Sequence, residues 1–81
     1  MINDWIIEWV STNSNVSKSK IVENTNANYF ERQWLDSFTF INFITDIEKE
    51  FKISFSNEEF QNRDFATIDG LIKIIESKIN G

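Results

Sequence analysis

The chain has 81 residues, of which 41% are hydrophobic and 15% aromatic, and its formal net charge is −5. This length predicts one small domain over residues 1–81, and the apolar content predicts a compact core. The absence of Cys and His argues against disulfides, a self-contained hydrolase triad and a zinc site. The acidic balance argues against nucleic-acid binding. No apolar run approaches the ~20 residues of a membrane-spanning helix, so we expect a cytoplasmic protein.

Helical periodicity dominates the sequence, which has no Pro and only two Gly. The first predicted helix runs from about Asn3 to Thr12–Asn15 and carries an apolar stripe at spacings of three and four residues. The stripe consists of Ile2, Trp5, Ile6, Trp9 and Val10. Residues 11–20 are rich in Ser, Asn and Lys and predict caps and turns. Residues 21–35 predict a long ordered loop. Its apolar anchors are Ile21, Val22, Tyr29, Phe30 and Leu35.

A second helix is predicted from Asp36-Ser37 to near Phe51, because Asp and Ser are both strong N-cap residues. With Asp36 as the cap, Leu35 and Phe40 occupy the two positions of a hydrophobic staple. The buried stripe of this helix is predicted to be Phe40, Phe43, Ile44, Ile47 and Phe51.

Two more helices complete the predicted fold. Ser56 and Glu59 fit a capping box at the start of a short third helix, with Phe60 as its inward anchor. The last helix begins after Thr67, and Gly70 lies inside it, where Gly costs up to about 1 kcal/mol relative to Ala. Its apolar face is predicted to be Ile68, Leu71, Ile72, Ile75 and Ile79. The sequence thus predicts an all-α fold of three main helices and one short helix.

Several segments resemble the acyl carrier protein family, which includes peptidyl and aminoacyl carriers. The triplet Asp36-Ser37-Phe38 stands at the head of a long helix, as in that family, and residues 21–30 (IVENTNANYF) resemble the loop before it. Residues 48–51 (EKEF), 53–59 (ISFSNEE) and 65–68 (FATI) are similar to the later helix boundaries of the family. The resemblance covers most of the chain and implies a four-helix acyl-carrier-like bundle with a long loop between helices one and two.

The resemblance implies that Ser37 is the attachment point of a 4′-phosphopantetheine arm. In the family, a phosphopantetheinyl transferase moves this arm from coenzyme A to the serine oxygen, and the arm's thiol then carries acyl groups as thioesters. Asp36 is implied to assist attachment by holding magnesium or the serine hydroxyl in the transferase complex. A phosphodiester at a helix N-terminus is electrostatically favourable. Since the chain has no His, Ser37 has no base of its own, and we expect a carrier without catalytic residues or a metal site.

Partner recognition is expected on the second helix and the residues just before it. The candidate residues are Trp34, Phe38, Ile41, Asn42, Asp46 and Glu48. Asn42 and Lys49 make this face less acidic than in fatty-acid carriers, so apolar contacts are expected to outweigh charge steering. Trp34 has two interpretations, a partner contact or an anchor of the long loop. Besides the transferase, the expected partners are an acyl- or aminoacyl-loading enzyme and a downstream acyltransferase, and we expect a monomer.

Two alternatives stay open. Residues 35–38 (LDSF) are more like those of stand-alone carriers served by adenylating enzymes, including D-alanyl carriers, which favours an aminoacyl cargo. A helical interaction module would instead use the fold without the arm. Taken alone, an Asp-Ser pair before an apolar helix is an ordinary N-cap. Uptake of an arm by Ser37 therefore distinguishes a carrier from a helical adaptor.

Overall fold

The structure is a computed structural model, and it describes residues 2–80. Over that range the chain is helical, apart from loops and one isolated antiparallel bridge between Asn28 and Thr67. The elements are α1 (Ile2–Asn13), α2 (Lys18–Glu23), α3 (Ser37–Phe51), α4 (Asn57–Gln61), a 3-10 helix (Arg63–Ala66) and α5 (Ile68–Asn80). The all-α prediction is confirmed: α1, α3 and α5 are the three main helices, and α4 is the predicted short one.

The core lies between the apolar faces of α1, α3 and α5. The predicted stripes are confirmed at their centres, where each main helix contributes fully buried side chains. These side chains are Ile6, Val10, Phe43, Ile47, Ile68, Leu71 and Ile75. Tyr29 and Ile21 from the segment before α3 are also fully buried. Ile79 is 47% exposed, so the predicted apolar face of the last helix ends before it.

The segment between α1 and α3 is more helical than its composition predicts. Ser17 caps α2 by accepting a hydrogen bond from the Lys20 N–H at 3.3 Å. The prediction of a loop from residue 21 is therefore wrong for the first three residues, and the predicted anchor Val22 is 54% exposed. The physical reason is length: a helix of six residues has fewer than two turns, so it shows no apolar periodicity and turns only Ile21 into the core.

The predicted helix starts are confirmed by their hydrogen bonds. Ser56 and Glu59 form the capping box, in which the Ser56 N–H donates to Glu59 Oε1 at 2.8 Å and the Glu59 N–H donates to Ser56 Oγ at 3.3 Å. Thr67 Oγ1 accepts from the Gly70 N–H at 3.0 Å at the start of α5. These caps satisfy backbone donors that the first helical turns leave free.

Aromatic rings connect α4 and the 3-10 helix to the core. Phe65 is 3% exposed, and its ring centroid lies 5.0 Å from that of Phe55 and 4.9 Å from that of Phe60. Phe60 itself is 42% exposed, so the predicted inward anchor covers the core from outside. The buried ring in this part of the chain is Phe65, on a 3-10 helix too short for a periodicity signal.

None of the helices within residues 2–80 is long and apolar enough to cross a membrane. The same part of the chain brings together no group of three or more Asp and Glu side chains that would hold a metal ion.

Candidate functional site

The chain is held firmly just before the head of α3. The Tyr29 carbonyl accepts hydrogen bonds from the N–H groups of Trp34, at 2.9 Å, and Leu35, at 3.4 Å. Between them, Gln33 adopts a left-handed backbone with φ of 61°, which reverses the chain direction. Leu35 is 3% exposed and belongs to the same core as the half-buried Phe40, as the predicted staple requires. This turn sets the position at which α3 begins.

Trp34 is part of that anchor. Its side chain is 6% exposed and belongs to the core. Of the two interpretations that the sequence allows, the structure supports the loop anchor, because a buried indole offers almost no surface to another protein. We therefore remove Trp34 from the candidate recognition residues. The sequence does not indicate whether an aromatic side chain beside a helix start packs into the core or faces solvent.

Asp36 and Ser37 form the head of α3. Asp36 Oδ1 accepts a hydrogen bond from the Thr39 N–H at 2.7 Å, which confirms the predicted N-cap. That hydrogen bond lowers the pKa of the exposed Asp36 carboxyl below its ordinary value of 3.8. Ser37 is the first helical residue and is exposed. Its hydroxyl takes part in none of the side-chain hydrogen bonds found among residues 2–80, so it projects into solvent beside the first N–H groups of the helix.

The lowered pKa of Asp36 predicts a pH-dependent contribution to stability. This contribution is complete above the pKa of the unfolded chain and is lost as the pH falls through the folded value. Asn also caps helices, so Asp36→Asn removes the charge and keeps the acceptor. We expect this variant to unfold at lower urea than the wild type at neutral pH, and the difference to vanish as the pH falls below 3.8. Urea titrations across this range measure it, with Glu31→Gln as an exposed control; a difference that persists in acid would contradict the prediction.

An apolar groove adjoins the Ser37 hydroxyl. Phe38 is 68% exposed and Ile41 is 64% exposed, and together with Ser37 and Asn42 they line a surface groove of about 390 Å³. Exposed apolar side chains clustered at one place on a small domain mark a contact surface. Three of the predicted recognition residues, Phe38, Ile41 and Asn42, therefore lie together at the candidate site.

The two predicted recognition carboxylates are not among the residues that line this groove. Asp46 Oδ2 accepts a hydrogen bond from Trp9 Nε1 at 2.8 Å, which ties α3 to α1. Glu48 Oε2 accepts from the Phe55 N–H at 3.0 Å, which ties α3 to the segment before α4. Both side chains stabilise the packing of α3 against its neighbours, a role that their positions in the sequence do not reveal.

A polar cleft on the other side of Asp36 is not predicted from the sequence. Its lining includes Lys20 from α2, Arg32 and Gln33 from the turn, and Asp36 and Thr39 from α3, and its volume is about 370 Å³. Neither cation takes part in the two ion pairs found in the described part of the chain, Lys18–Glu8 and Lys78–Glu59. The turn at Gln33 brings these residues together from positions up to 19 apart in sequence, so no local motif could have indicated the cleft.

A known protein family and a known protein each match most of this chain. A family model described as "Phosphopantetheine attachment site" matches residues 4–75. The chain belongs to the acyl carrier protein family. It is 32% identical over 74 residues to a protein of Mycoplasmopsis pulmonis (strain UAB CTIP) named "Acyl carrier protein homolog". The aligned region covers 90% of this chain and 94% of that relative. No solved structure gave a significant match.

Membership of this family has direct chemical consequences. Carrier proteins bear a covalently attached phosphopantetheine group, are generally non-catalytic, and serve as substrates of the enzyme that modifies them. The group supplies a thiol on a flexible arm. This chain, with no Cys, has no thiol of its own. An exposed, unbonded hydroxyl at the head of α3 fits a covalent phosphodiester, because the first N–H groups of a helix and its dipole favour negative charge there.

Proposed function

We propose that this carrier protein bears its 4′-phosphopantetheine arm on Ser37 and delivers acyl groups, held as thioesters on the arm, to biosynthetic enzymes. The observation that carries the proposal is the exposed and unbonded hydroxyl of Ser37 at the head of α3. Thr39 is the nearest other hydroxyl, but it lies inside the helix and is half-buried. The match of the family model over residues 4–75 supports the same conclusion.

Attachment requires a partner enzyme. The serine oxygen bonds to the phosphorus next to pantetheine, the pyrophosphate bond of coenzyme A breaks, and adenosine 3′,5′-bisphosphate leaves. The serine proton must pass to a base, and the chain has no His to act as one. A phosphopantetheinyl transferase therefore supplies the base. Asp36, exposed beside Ser37 and ionised because its pKa is low, is available to hold magnesium or orient the hydroxyl in that complex.

Intact-mass measurement tests the attachment. Incubation of the apo protein with coenzyme A and a broad-specificity phosphopantetheinyl transferase is expected to add the mass of one arm. Tryptic cleavage after Arg32 and Lys49 isolates a peptide with Ser37, Thr39 and Thr45, and fragmentation of that peptide is expected to place the arm on Ser37. No mass gain would favour a helical interaction module that uses this fold without an arm.

We further propose that partner enzymes dock on Phe38, Ile41 and Asn42. These residues line the groove beside Ser37, so an enzyme that covers them also reaches the arm. Asp46 and Glu48 remain candidates for secondary contacts, although each already accepts a hydrogen bond within the domain. Recognition then depends mainly on apolar contact, and charge contributes less.

The docking proposal predicts a kinetic effect without a stability effect. Phe38→Ser and Ile41→Ser are each expected to lower kcat/KM for arm attachment by about tenfold, because exposed apolar anchors at the centre of an interface contribute most of its energy. Val22→Ser is the matched control, since Val22 is also exposed, at 54%, but lies on α2. Equal rates for all three variants, with unchanged urea midpoints, would refute this docking surface.

The nature of the cargo has two candidates. The name of the Mycoplasmopsis relative, "Acyl carrier protein homolog", supports an acyl group. The exposed Phe38 directly after Ser37 favours an aminoacyl group loaded by an adenylating enzyme, since the resemblance at residues 35–38 is to carriers of that kind. Incubating the holo protein with each class of loading enzyme distinguishes the two: the one that forms a thioester on the arm identifies the cargo.

A further inference from the structure

We infer that this carrier keeps its cargo outside the protein, which restricts it to short or polar groups such as acetyl, butyryl or aminoacyl. The inference rests on the proposed arm on Ser37. Cargo at the end of a flexible arm either stays in water or enters an apolar space in the protein. Each methylene that stays in water is unfavourable, and the penalty grows with chain length. Whether the interior beside Ser37 is open or filled therefore decides which cargo the carrier suits.

Four phenyl rings pack against one another beside the head of α3, around the buried ring of Phe65. This phenyl cluster consists of Phe40, one turn along α3 from Ser37, and Phe55, Phe60 and Phe65 from the segment that faces it. Ring centroids are 6.0 Å apart for Phe40 and Phe65, 5.0 Å for Phe55 and Phe65, and 4.9 Å for Phe60 and Phe65. Rings at these separations are in edge-to-face or tilted contact. An alkyl chain that entered between α3 and the 3-10 helix would have to displace them.

The 3-10 helix that carries Phe65 is fixed on two sides. On one side, the Tyr29 hydroxyl donates to the Phe65 carbonyl and the Tyr29 N–H donates to the Ala66 carbonyl at 3.1 Å. On the other side, Gly70 of α5 packs so closely that a Cβ on it would lie 2.1 Å from the Asp64 carbonyl oxygen. Moving the 3-10 helix outward would leave a buried hydroxyl and carbonyl without partners, which is costly.

The segment that carries Phe55 and Phe60 is also held in place. Glu48 on α3 accepts a hydrogen bond from the Phe55 N–H at 3.0 Å. Glu59 on α4 pairs with Lys78 on α5 at 2.9 Å, and Lys78 Nζ lies 5.9 Å from the centroid of the Phe55 ring. Hydrogen bonds and an ion pair therefore connect the segment that carries the phenyl cluster to α3, to α5 and to the loop before α3. Opening it for a long chain requires several of these contacts to break together.

A chain-length series tests the inference. The transferase and acetyl-, butyryl-, octanoyl- or dodecanoyl-coenzyme A load the acyl arm in one step, and hydroxylamine cleavage then reports access to the thioester. We expect equal cleavage rates for all four chains and unchanged amide chemical shifts at Ile44, Phe65 and Ile75. The inference would be overturned if the octanoyl or dodecanoyl thioester were cleaved about tenfold more slowly than the acetyl thioester. Tenfold is the factor expected from burying two methylenes. Failure of Ser37 to take up any arm appears separately, as an absent mass gain.

Variants identify the phenyl cluster as the cause. Phe40→Ala empties part of the cluster and is expected to slow cleavage of the octanoyl thioester, whereas Val22→Ala removes an exposed apolar side chain on α2 and is expected to leave it unchanged. Phe60→Ala, at a position that is 42% exposed, replaces Phe40→Ala if that variant does not fold. Cleavage that stays equally fast when the cluster is opened would overturn its role in excluding the cargo.

Discussion

A Ser37→Ala variant is expected to gain no arm under conditions in which the wild-type chain is converted completely. The reaction forms a bond from the hydroxyl oxygen to phosphorus, so removing that oxygen abolishes it rather than slowing it. The fold should be unaffected, because Ser37 is exposed at the first position of α3 and surface substitutions of this kind change stability by about 0.5 kcal/mol or less. Intact mass after incubation with coenzyme A and the transferase measures the effect.

Thr39→Ala is the matched control for Ser37→Ala. It removes the nearest competing hydroxyl, which lies two residues further along the same helix turn, and it is expected to keep arm uptake. Circular dichroism of both variants verifies that α3 still forms. An arm that Ser37→Ala retains and Thr39→Ala loses would move the attachment to Thr39 and refute the proposed site.

Gly70→Ala is expected to destabilise the domain strongly, although Ala is the better helix former. An ideal Cβ at this position would lie 2.1 Å from the Asp64 carbonyl oxygen and 2.7 Å from the Asp64 carbonyl carbon and Cα. These are backbone atoms, so the 3-10 helix and α5 must separate to make room. Overpacking of this kind costs about 1–3 kcal/mol and outweighs the gain in helix propensity of up to about 1 kcal/mol.

Urea denaturation measures the effect of Gly70→Ala. For a chain of this size the free energy of unfolding is of the order of 4–12 kcal/mol, so the loss lowers the urea midpoint visibly. Ser77→Ala, at an exposed position on the same helix, is the control and is expected to keep the wild-type midpoint. A Gly70→Ala midpoint equal to that of the control would show that the close contact with Asp64 relaxes at no cost.

The residues around Ser37 show where sequence reasoning succeeds and where it fails. The helix start at Asp36-Ser37 was predicted from residue type and position alone, because a cap bonds to an N–H three residues away and needs no tertiary partner. In the structure the cap is Asp36. Trp34, Asp46 and Glu48 were expected on a recognition surface, yet each takes part in packing within the domain. Their partners lie in distant parts of the chain, so the neighbouring sequence does not predict these contacts.

The sequence by itself determined the all-α class, the three apolar stripes, the capped start of α3 and the resemblance that singled out Ser37. Each of these depends on residues a few positions apart, where helical periodicity and capping chemistry act locally. The tertiary structure alone decided that α2 exists, that Gly70 is required by its contact with Asp64, and that phenyl rings fill the space beside α3. Those features depend on which surfaces meet when segments far apart in the chain pack together. Because the interior is closely packed, side-chain shapes across these segments must fit one another, and residue type alone does not specify that fit.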